Sequence, residues 1–347
     1  MAKVIYEETT YREVPESMVV SQIDDAWHPL KDRNYIEWWY FDAMNPDGSL
    51  VRGQIYIAGN ITRPKSVTTG IRASYVGTDG SEIVMQQQFP YSAFRASADV
   101  CDVQLGPNFI RGDLSTYRVH IESGGGYLDL ELESDIDGFT SYASFGDDRH
   151  YMYWVVPQPR GHAKGVFNTG EATFPVDGLG YRDHNWLNIP PMDLLAYWDW
   201  GRIYDGEYTI VFADIVTTKK MEQAQIKPLS IFDSKKLVYL TTEGTKWGLN
   251  KSELKTDSET GLRIPQKTTL EANDDALSLE VNLELKQIFQ RIDLLENFNP
   301  VLRFLIRTFK AKPSIISFFS TGKGSIDLDG RSRPLDCRAV HELVKNQ

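Results

Sequence analysis

The chain has 347 residues, more than one hydrophobic core usually supports, so its length predicts two domains. Hydrophobic residues make up 41% and aromatic residues 12% of the chain, a composition that excludes a disordered protein. The formal net charge of -11 at pH 7 repels phosphate backbones and argues against nucleic-acid binding.

The cysteine content and the apolar runs bear on the compartment of the protein. Cys101 and Cys337 are too few and too far apart for a disulfide framework or a zinc ribbon, and they fit a reducing environment. The N-terminus has no apolar signal segment, and no apolar run approaches the roughly 20 residues that span a bilayer. We therefore expect a soluble, cytoplasmic protein.

From Tyr35 onward the pattern is typical of β-strands joined by short turns. Asn45-Pro-Asp-Gly48 is a turn signal between residues 36–41 and 51–57, and Gly124-Gly-Gly126 separates residues 117–121 from 127–133. In the last of these strands leucines alternate with acidic residues, which predicts one buried face and one solvated face. Regular turns without alternating helices predict an antiparallel sandwich or barrel.

A polar run, Thr217-Thr-Lys-Lys-Met-Glu222, predicts a boundary between a first domain of residues 1–219 and a second domain of residues 220–347. Both domains are predicted to be all-β. The second is interrupted by a short helical insertion, because Leu285, Ile288, Phe289, Ile292 and Leu295 follow helical spacing. Asn299-Pro300 then supplies an N-cap and a first-turn proline for another short helix.

The helix that begins at Pro300 has a basic face. Arg303, Arg307 and Lys310 lie opposite a row of apolar residues, an arrangement that suits anionic lipid headgroups. Weak peripheral contact with a membrane is therefore one interpretation. The other, favoured by the usual behaviour of helices, is an amphipathic helix that caps the second domain.

Two aromatic-rich segments carry the candidate site. One is Glu37-Trp-Trp-Tyr-Phe-Asp42, and the other joins Gly178-Leu-Gly-Tyr-Arg-Asp-His-Asn-Trp186 to Ala196-Tyr-Trp-Asp-Trp-Gly-Arg202. We expect them to converge on one apolar pocket that holds ionisable groups. Asp199 lies among aromatic residues, so loss of solvation should raise its pKa until it holds a proton near neutrality. Asp183 and Asn185 can fix the tautomer of His184 and raise its proton affinity.

A structural interpretation competes with this one. The aromatic residues would form an ordinary β core, and the acidic and basic groups would form a satisfied network, with Glu37 as the partner of Arg202 or Arg182. A metal site of Asp183, His184 and Asp199 lacks standard ligand spacing, so no metal ligand is assigned. The remaining histidines, among them His28 and His341, are expected to be surface or hydrogen-bonded groups.

The two segments resemble a known superfamily. Glu37-Trp-Trp-Tyr-Phe41, Gly180-Tyr-Arg-Asp-His-Asn-Trp186 and Trp198-Asp-Trp-Gly-Arg202 are similar to blocks of the lipocalin-like superfamily of carotenoid 1,2-hydratases (hydroxyneurosporene synthases) and AttH-type proteins. Lipocalin-like Diels–Alderases share the pattern. The resemblance implies a β-sandwich followed by a lipocalin-like β-barrel, an apolar ligand inside or between them, and no cofactor.

The resemblance also implies roles for individual residues. In the hydratase branch a His-x-Trp pair and a Tyr-x-Asp pair are implicated in acid-catalysed addition of water. His184-Asn-Trp186 matches the first pair, and Phe212-Ala-Asp214, with Phe in place of Tyr, or Tyr197-Trp-Asp199 matches the second. The predicted catalytic residues are His184, Asp199, Asp214 and Asp183, and the predicted substrate-binding residues are Glu37, Trp38, Trp39, Tyr40, Trp186, Tyr197, Trp198, Arg202 and Phe212.

The sequence thus predicts a cofactor-independent enzyme acting on a large apolar isoprenoid, polyene or polyketide. The reaction would be hydration, its reverse, isomerisation or cyclisation, with Asp214 or Asp199 as proton donor and His184 as its partner or as the base that activates water. A pericyclase that folds its substrate into a reactive conformer is one alternative. A lipocalin-type carrier without chemistry is another. We expect a monomer or a homodimer.

Overall fold

The computed structural model describes residues 8–134, 136–140, 145–146, 150–293 and 314–345. The first strands are β1 (Thr10–Tyr11), β2 (Ile36–Met44), β3 (Leu50–Ala58), β4 (Thr68–Val76), β5 (Glu82–Phe89), β6 (Phe94–Ala96), β7 (Asp102–Leu105), β8 (Asn108–Gly112), β9 (Thr116–Ser123), β10 (Gly126–Glu133), β11 (Phe139–Thr140), β12 (Phe145–Gly146), β13 (Tyr151–Asn168) and β14 (Thr173–Leu187).

After the short helix α1 (Pro191–Leu194) the strands continue with β15 (Leu195–Tyr204), β16 (Thr209–Thr217), β17 (Gln225–Ile226), β18 (Leu229–Phe232), β19 (Leu237–Thr241), β20 (Trp247–Thr256), β21 (Arg263–Asn273), β22 (Leu277–Asp293), β23 (Ser314–Leu328) and β24 (Arg331–Lys345). Single 3₁₀ turns cover Glu16–Met18, Pro64–Ser66, Tyr91–Ala93 and Lys219–Met221. In the described part of the chain, no helix has the length and hydrophobicity needed to cross a membrane.

The strands form two antiparallel sheets, which confirms the all-β prediction. The first sheet has the order β5-β4-β3-β2-β14-β13-β10-β9-β8-β7-β6, and the second has the order β1-β19-β18-β16-β15-β24-β23-β22-β21-β20. Each sheet curls around its own apolar core, as strands with alternating buried and exposed side chains require. The architecture is therefore the lipocalin-like pair of β units that the resemblance implied.

Local turn chemistry agrees with the sequence. Gly48 has a φ of 95° and its amide donates to the Asn45 carbonyl oxygen at 2.9 Å, so the predicted turn joins β2 to β3. In β10 the predicted alternation is also present, because Leu128, Leu130 and Leu132 are buried. The hairpin turn at Gly124 connects β9 to β10 as expected.

A third apolar cluster packs between the two sheets. It joins Trp154 and Tyr181 of the first sheet to Leu195, Ala213 and Ile215 of the second. The N-terminal segment crosses the same boundary: β1 pairs with β19 of the second sheet, whereas Asp25 is buried against the first. The sheets are therefore fastened to each other by core packing and by one continuous segment.

The chain passes from the first sheet to the second between Leu187 and Leu195. Strands β15 and β16, which the predicted limits of 1–219 and 220–347 place in the first domain, pair within the second sheet. The polar run at Thr217 follows β16, which lies between β18 and β15 in that sheet, and Thr217, Thr218 and Met221 of the run are buried.

The predicted helix over residues 285–295 is wrong for the described part of that range, because β22 continues to Asp293. Its pairing with β23 contains two irregularities, between Leu285 and Gln287 and between Ile288 and Gln290. Each bulge inserts a residue and moves the following side chains to the other face. Two bulges thus give the apolar residues a spacing that imitates a helix. The predicted helix with Arg303, Arg307 and Lys310 lies outside the described residues.

Candidate functional site

A pocket of about 350 Å³ lies between the two sheets. Its aromatic wall consists mostly of Trp38 and Tyr40 of β2, Trp154 of β13, and Trp198 and Trp200 of β15. The two predicted segments do converge here, since β2 pairs with β14 and β15 crosses the opposite side of the pocket. An apolar, aromatic cavity of this size suits a small organic ligand.

Strand alternation decides which predicted residues reach the pocket. Across β2 and β14, Trp38 lies opposite Asn185 and Tyr40 lies opposite Asp183, and all four side chains line the cavity. Their neighbours along each strand point to the other face, into the core of the first sheet. Each aromatic segment is therefore divided between two environments.

Asp183 is the predicted catalytic residue that the structure places in the pocket. It is buried, and its carboxyl accepts hydrogen bonds from the Tyr181 hydroxyl at 3.1 Å, from Asn185 Nδ2 at 2.9 Å and from the Trp154 indole. Burial raises the pKa of Asp183 to about 7, because these donors only partly replace the water that a carboxylate loses. The side chain can therefore hold or release a proton near neutral pH.

A second acid, which the sequence interpretation missed, lies on the opposite wall. Glu342 of β24 lines the pocket and accepts a hydrogen bond from Trp198 Nε1 at 3.1 Å. Burial raises the pKa of this carboxyl above its ordinary value. The only sequence signal is a single acid between Val340 and the apolar pair Leu343 and Val344, in a strand that has few charged residues there.

Beneath the aromatic wall, an ion pair joins the two sheets. Arg202 of β15 donates to the Asp42 carboxylate of β2, and both side chains are fully buried. The guanidinium also lies over the rings of Tyr181 and Tyr204, at 4.4 and 4.2 Å from their centroids. The structural interpretation offered Glu37 as a partner of Arg202, but the partner is Asp42. Arg202, which was predicted to bind substrate, is not among the residues that line the pocket.

His184 points away from the pocket, contrary to its predicted role there. Its Nε2 is 2.8 Å from Glu37 Oε1, its Nδ1 is 3.5 Å from Asp25 Oδ1, and its ring stacks on Trp39. Burial lowers the pKa of His184, but the two carboxylates outweigh burial and raise the pKa above its ordinary value. Arg182 completes the group by donating to Asp25 at 2.6 Å. Two acids and two cations thus compensate each other.

The remaining predicted residues also lie outside the pocket. On the first sheet, the face that points away from the cavity carries His184 together with Glu37, Trp39 and Trp186. On the second sheet, the face that points away from the cavity carries Tyr197, Asp199, Phe212 and Asp214. Asp199 pairs with Lys251 Nζ at 2.5 Å, a cation from β20 that the sequence could not place beside it. Asp214 accepts from Gln225 Nε2 at 2.8 Å.

Within the described ranges, one cluster of side chains has the residue types and spacing of a metal site. Ligand atoms of His28, Glu37 and His184 lie within 4.8 Å of one another. Glu37 is already bonded by the Tyr35 hydroxyl and by the His28 amide at 3.0 Å, besides His184. These donors satisfy the carboxylate without an ion, so we treat the group as a hydrogen-bonded network. Asp183, His184 and Asp199 occupy three different faces and cannot share a metal.

Solved structures share this fold. An AttH-like protein of Nitrosomonas europaea is 15% identical, with 96% of this chain and 99% of that chain covered and a TM-score of 0.63. CghA with Sch210972 is 13% identical over 97% and 98% of the two chains, with a TM-score of 0.64. Kievitone hydratase from Nectria haematococca is 14% identical over 96% and 98%, with a TM-score of 0.58. At these identities the likeness shows the fold alone.

Sequence comparison adds one curated relative and one family. The quinolone epoxide rearrangement protein asqO of Emericella nidulans is 32% identical over 65 residues, which are 19% of this chain and 18% of that protein. The match thus spans less than a fifth of that relative. The model of the Svf1 family matches residues 81–336, most of the chain, and the protein therefore belongs to the Svf1 family.

Proposed function

We propose that the protein is a cofactor-independent enzyme that isomerises, cyclises or hydrates an apolar isoprenoid, polyene or polyketide, with Asp183 as its proton donor. The observation that carries this proposal is the position of Asp183: a buried carboxyl with a pKa of about 7 inside an aromatic cavity. General acids work best when their pKa lies near the working pH. The proton donor is thereby reassigned from Asp199 or Asp214 to Asp183.

The chemistry follows from the pocket walls. The O–H bond of Asp183 breaks as its proton forms a new bond to an alkene carbon or to the oxygen of an epoxide or carbonyl, and the substrate takes the positive charge. The faces of Trp38, Trp154, Trp198 and Trp200 can stabilise that charge without reacting with it. Attack by an internal double bond gives a cyclised cation, and attack by water gives a protonated alcohol. Each of these then loses a proton to the Asp183 carboxylate, which regenerates the acid. Loss of a neighbouring proton from the first cation to the same carboxylate gives an isomer of the substrate.

The names of two relatives support this class of reaction. Kievitone hydratase has this fold, and the asqO protein is named for the rearrangement of an epoxide. Hydration and epoxide rearrangement both form or move bonds to oxygen, and neither reaction is an oxidation or a reduction. A positioned general acid accelerates reactions that pass through a protonated substrate.

The rate should depend on pH in a defined direction. The protonated form of Asp183 is the active one, so product formation from a panel of polyenes, epoxides and polyketides, followed by mass spectrometry, should fall as pH rises through about 7. A rate that rises through this range would contradict an acid role for Asp183.

Folding must be monitored alongside, because the same pKa affects stability. The folded-state pKa exceeds the ordinary value of 3.8, so the folded state binds more protons than the unfolded state between about pH 4 and 7. Raising pH through this window therefore lowers the free energy of unfolding. Circular dichroism at each pH separates lost activity from lost structure.

A carrier function is the second candidate. Asp183 accepts three hydrogen bonds from protein donors, which would also suit a carboxyl that has only a structural role. A carrier would return its ligand unchanged after incubation, and it would do so equally with wild type and with Asp183→Asn. An enzyme would convert the ligand with wild type alone.

A further inference from the structure

One end of the pocket differs from the aromatic end. Arg52 of β3 and Arg72 of β4 line it, together with Gln54, Ser74 and Gln290. Arg52 is 7% exposed, and its guanidinium donates to Gln290 Oε1, a neutral acceptor. The ion pairs among the described residues do not include Arg52. A buried guanidinium that has no carboxylate partner is costly for a folded protein unless a ligand supplies the negative charge.

Three acids lie near this end of the pocket, and none of them forms an ion pair with Arg52. Glu342, whose pKa the charge of Arg52 lowers against the effect of burial, accepts from Trp198 Nε1 at 3.1 Å. Asp42 lies opposite Arg52 on the neighbouring strand, but its carboxylate bonds Arg202 and the Tyr40 hydroxyl, the latter at 3.0 Å. Glu82 pairs with Arg72 at 3.3 Å. Burial, and to a smaller extent the adjacent charge of Arg52, lower the pKa of Arg72. Arg52 therefore has no carboxylate within ion-pair distance among the described residues, although the charges of Asp42 and Glu342 act on it from farther away.

Unpaired donors surround the same place. Arg72 Nε, Ser74 Oγ and Gln290 Nε2 are buried and have no hydrogen-bond partner among the described residues. Guanidinium and amide N–H groups can only donate, and a hydroxyl can donate as well. A site rich in donors and poor in acceptors is suited to oxygen atoms that carry negative charge.

From this cluster we infer that the substrate carries a carboxylate or a similar anionic head, which Arg52 and Arg72 bind while its apolar body lies against the tryptophans. The inference rests on the proposed function for the use of the pocket, and it specifies the class of substrate. It adds a head group to the isoprenoid, polyene or polyketide body proposed above.

The sheet register adds a distance. Asp183, Tyr40, Gln54 and Arg72 lie side by side on four consecutive strands, β14, β2, β3 and β4. Neighbouring strands are about 4.8 Å apart, so the backbone of Arg72 lies roughly 14 Å from that of Asp183. The reacting atom of the substrate should therefore be several carbon–carbon bonds away from the anionic head.

Binding of two matched probes tests the inference without any turnover. The probes are the fluorescent polyene cis-parinaric acid and its methyl ester, which share one apolar body and differ in charge. Wild type should bind the acid about tenfold or more tightly than the ester, because charge-assisted hydrogen bonds form only with the acid. Arg52→Gln should remove most of this preference and leave the affinity for the ester unchanged.

Controls separate charge from folding. Arg52→Lys keeps a positive charge and should retain part of the preference, whereas Arg52→Gln with Arg72→Gln should abolish it. Arg118→Gln, at an arginine of β9 that is 74% exposed, should bind both probes as wild type does. Unchanged binding of the ester shows that the pocket of each variant is folded.

Equal affinity of wild type for the acid and the ester would overturn the inference, and so would a preference that survives the double substitution. Failure of the proposed function has a different signature. If Asp183→Asn turns over substrate at the wild-type rate but the acid is still preferred, the head-group site stands and the proton donor is wrong.

Discussion

Asp183→Asn should lower the turnover number by about 10²- to 10⁴-fold, the usual contribution of a positioned general acid. Asparagine keeps the size of the side chain, and its carbonyl oxygen can still accept from Asn185, which bonds Asp183 at 2.9 Å in the native protein. The substitution removes the transferable proton and leaves the pocket walls in place. Steady-state kinetics on any substrate found in the panel would measure the loss, and substrate affinity should change far less than turnover.

The two acids of the original hypothesis provide matched controls. Asp199→Asn and Asp214→Asn make the same chemical change at positions that face away from the pocket, so their turnover numbers should stay within a few-fold of wild type when the variants are folded. Asp199→Asn leaves Lys251 without its partner, so its thermal stability must be measured as well. A collapse of turnover in a folded Asp214→Asn variant, with Asp183→Asn active, would restore the hydratase-like assignment.

Asp25→Asn should destabilise the protein by about 3 to 5 kcal/mol, because it leaves a buried charge without a partner. The Asp25 carboxylate accepts from Arg182 Nη1 and from the Tyr117 hydroxyl, both at 2.6 Å, and none of the three side chains is exposed. Denaturant unfolding of the purified variant measures the change. A loss below about 1 kcal/mol would show that Arg182 does not depend on Asp25.

A surface pair gives the comparison for that experiment. Asp102 pairs with Arg111 at 2.6 Å, with about half of each side chain exposed, so Asp102→Asn should cost at most about 1 kcal/mol. Combining Asp25→Asn with Arg182→Met should destabilise less than the sum of the single changes, since the uncompensated charge is then gone. If the losses in the free energy of unfolding are additive, Asp25 stabilises the protein through contacts other than the one with Arg182.

Composition and alternation sufficed to predict much of the fold. Turn signals at Gly48 and Gly124 and the leucines of β10 identified strands that the structure contains. The helix over residues 285–295 was mispredicted because bulges in β22 shift side chains between faces, and a bulge depends on the partner strand. Strand positions could be predicted from local sequence. The sheet to which β15 and β16 belong could not, because it depends on pairing with strands far away in the sequence.

The sequence brought two segments together but did not separate the residues that line the pocket from those that do not. Both aromatic segments reach the pocket, yet alternation places Asp183 inside and His184 outside, and a motif read as a block conceals that separation. Asp199 was chosen for its aromatic neighbours, but its ion-pair partner Lys251 comes from a strand about fifty residues away, which local sequence does not reveal. Arg52, Trp154 and Glu342 were missed because single residues on separate strands leave no motif.

The pairing of Thr10 with Thr241 has a consequence for how the protein is made. Their side chains are 231 residues apart in sequence, and a ribosome releases the N-terminal residues first. The first strand must therefore wait for about two-thirds of the chain to be synthesised before its partner exists. Asp25 likewise has to wait until Arg182 has been synthesised before it can form its ion pair. The N-terminal segment should therefore stay accessible to chaperones and proteases until late in translation.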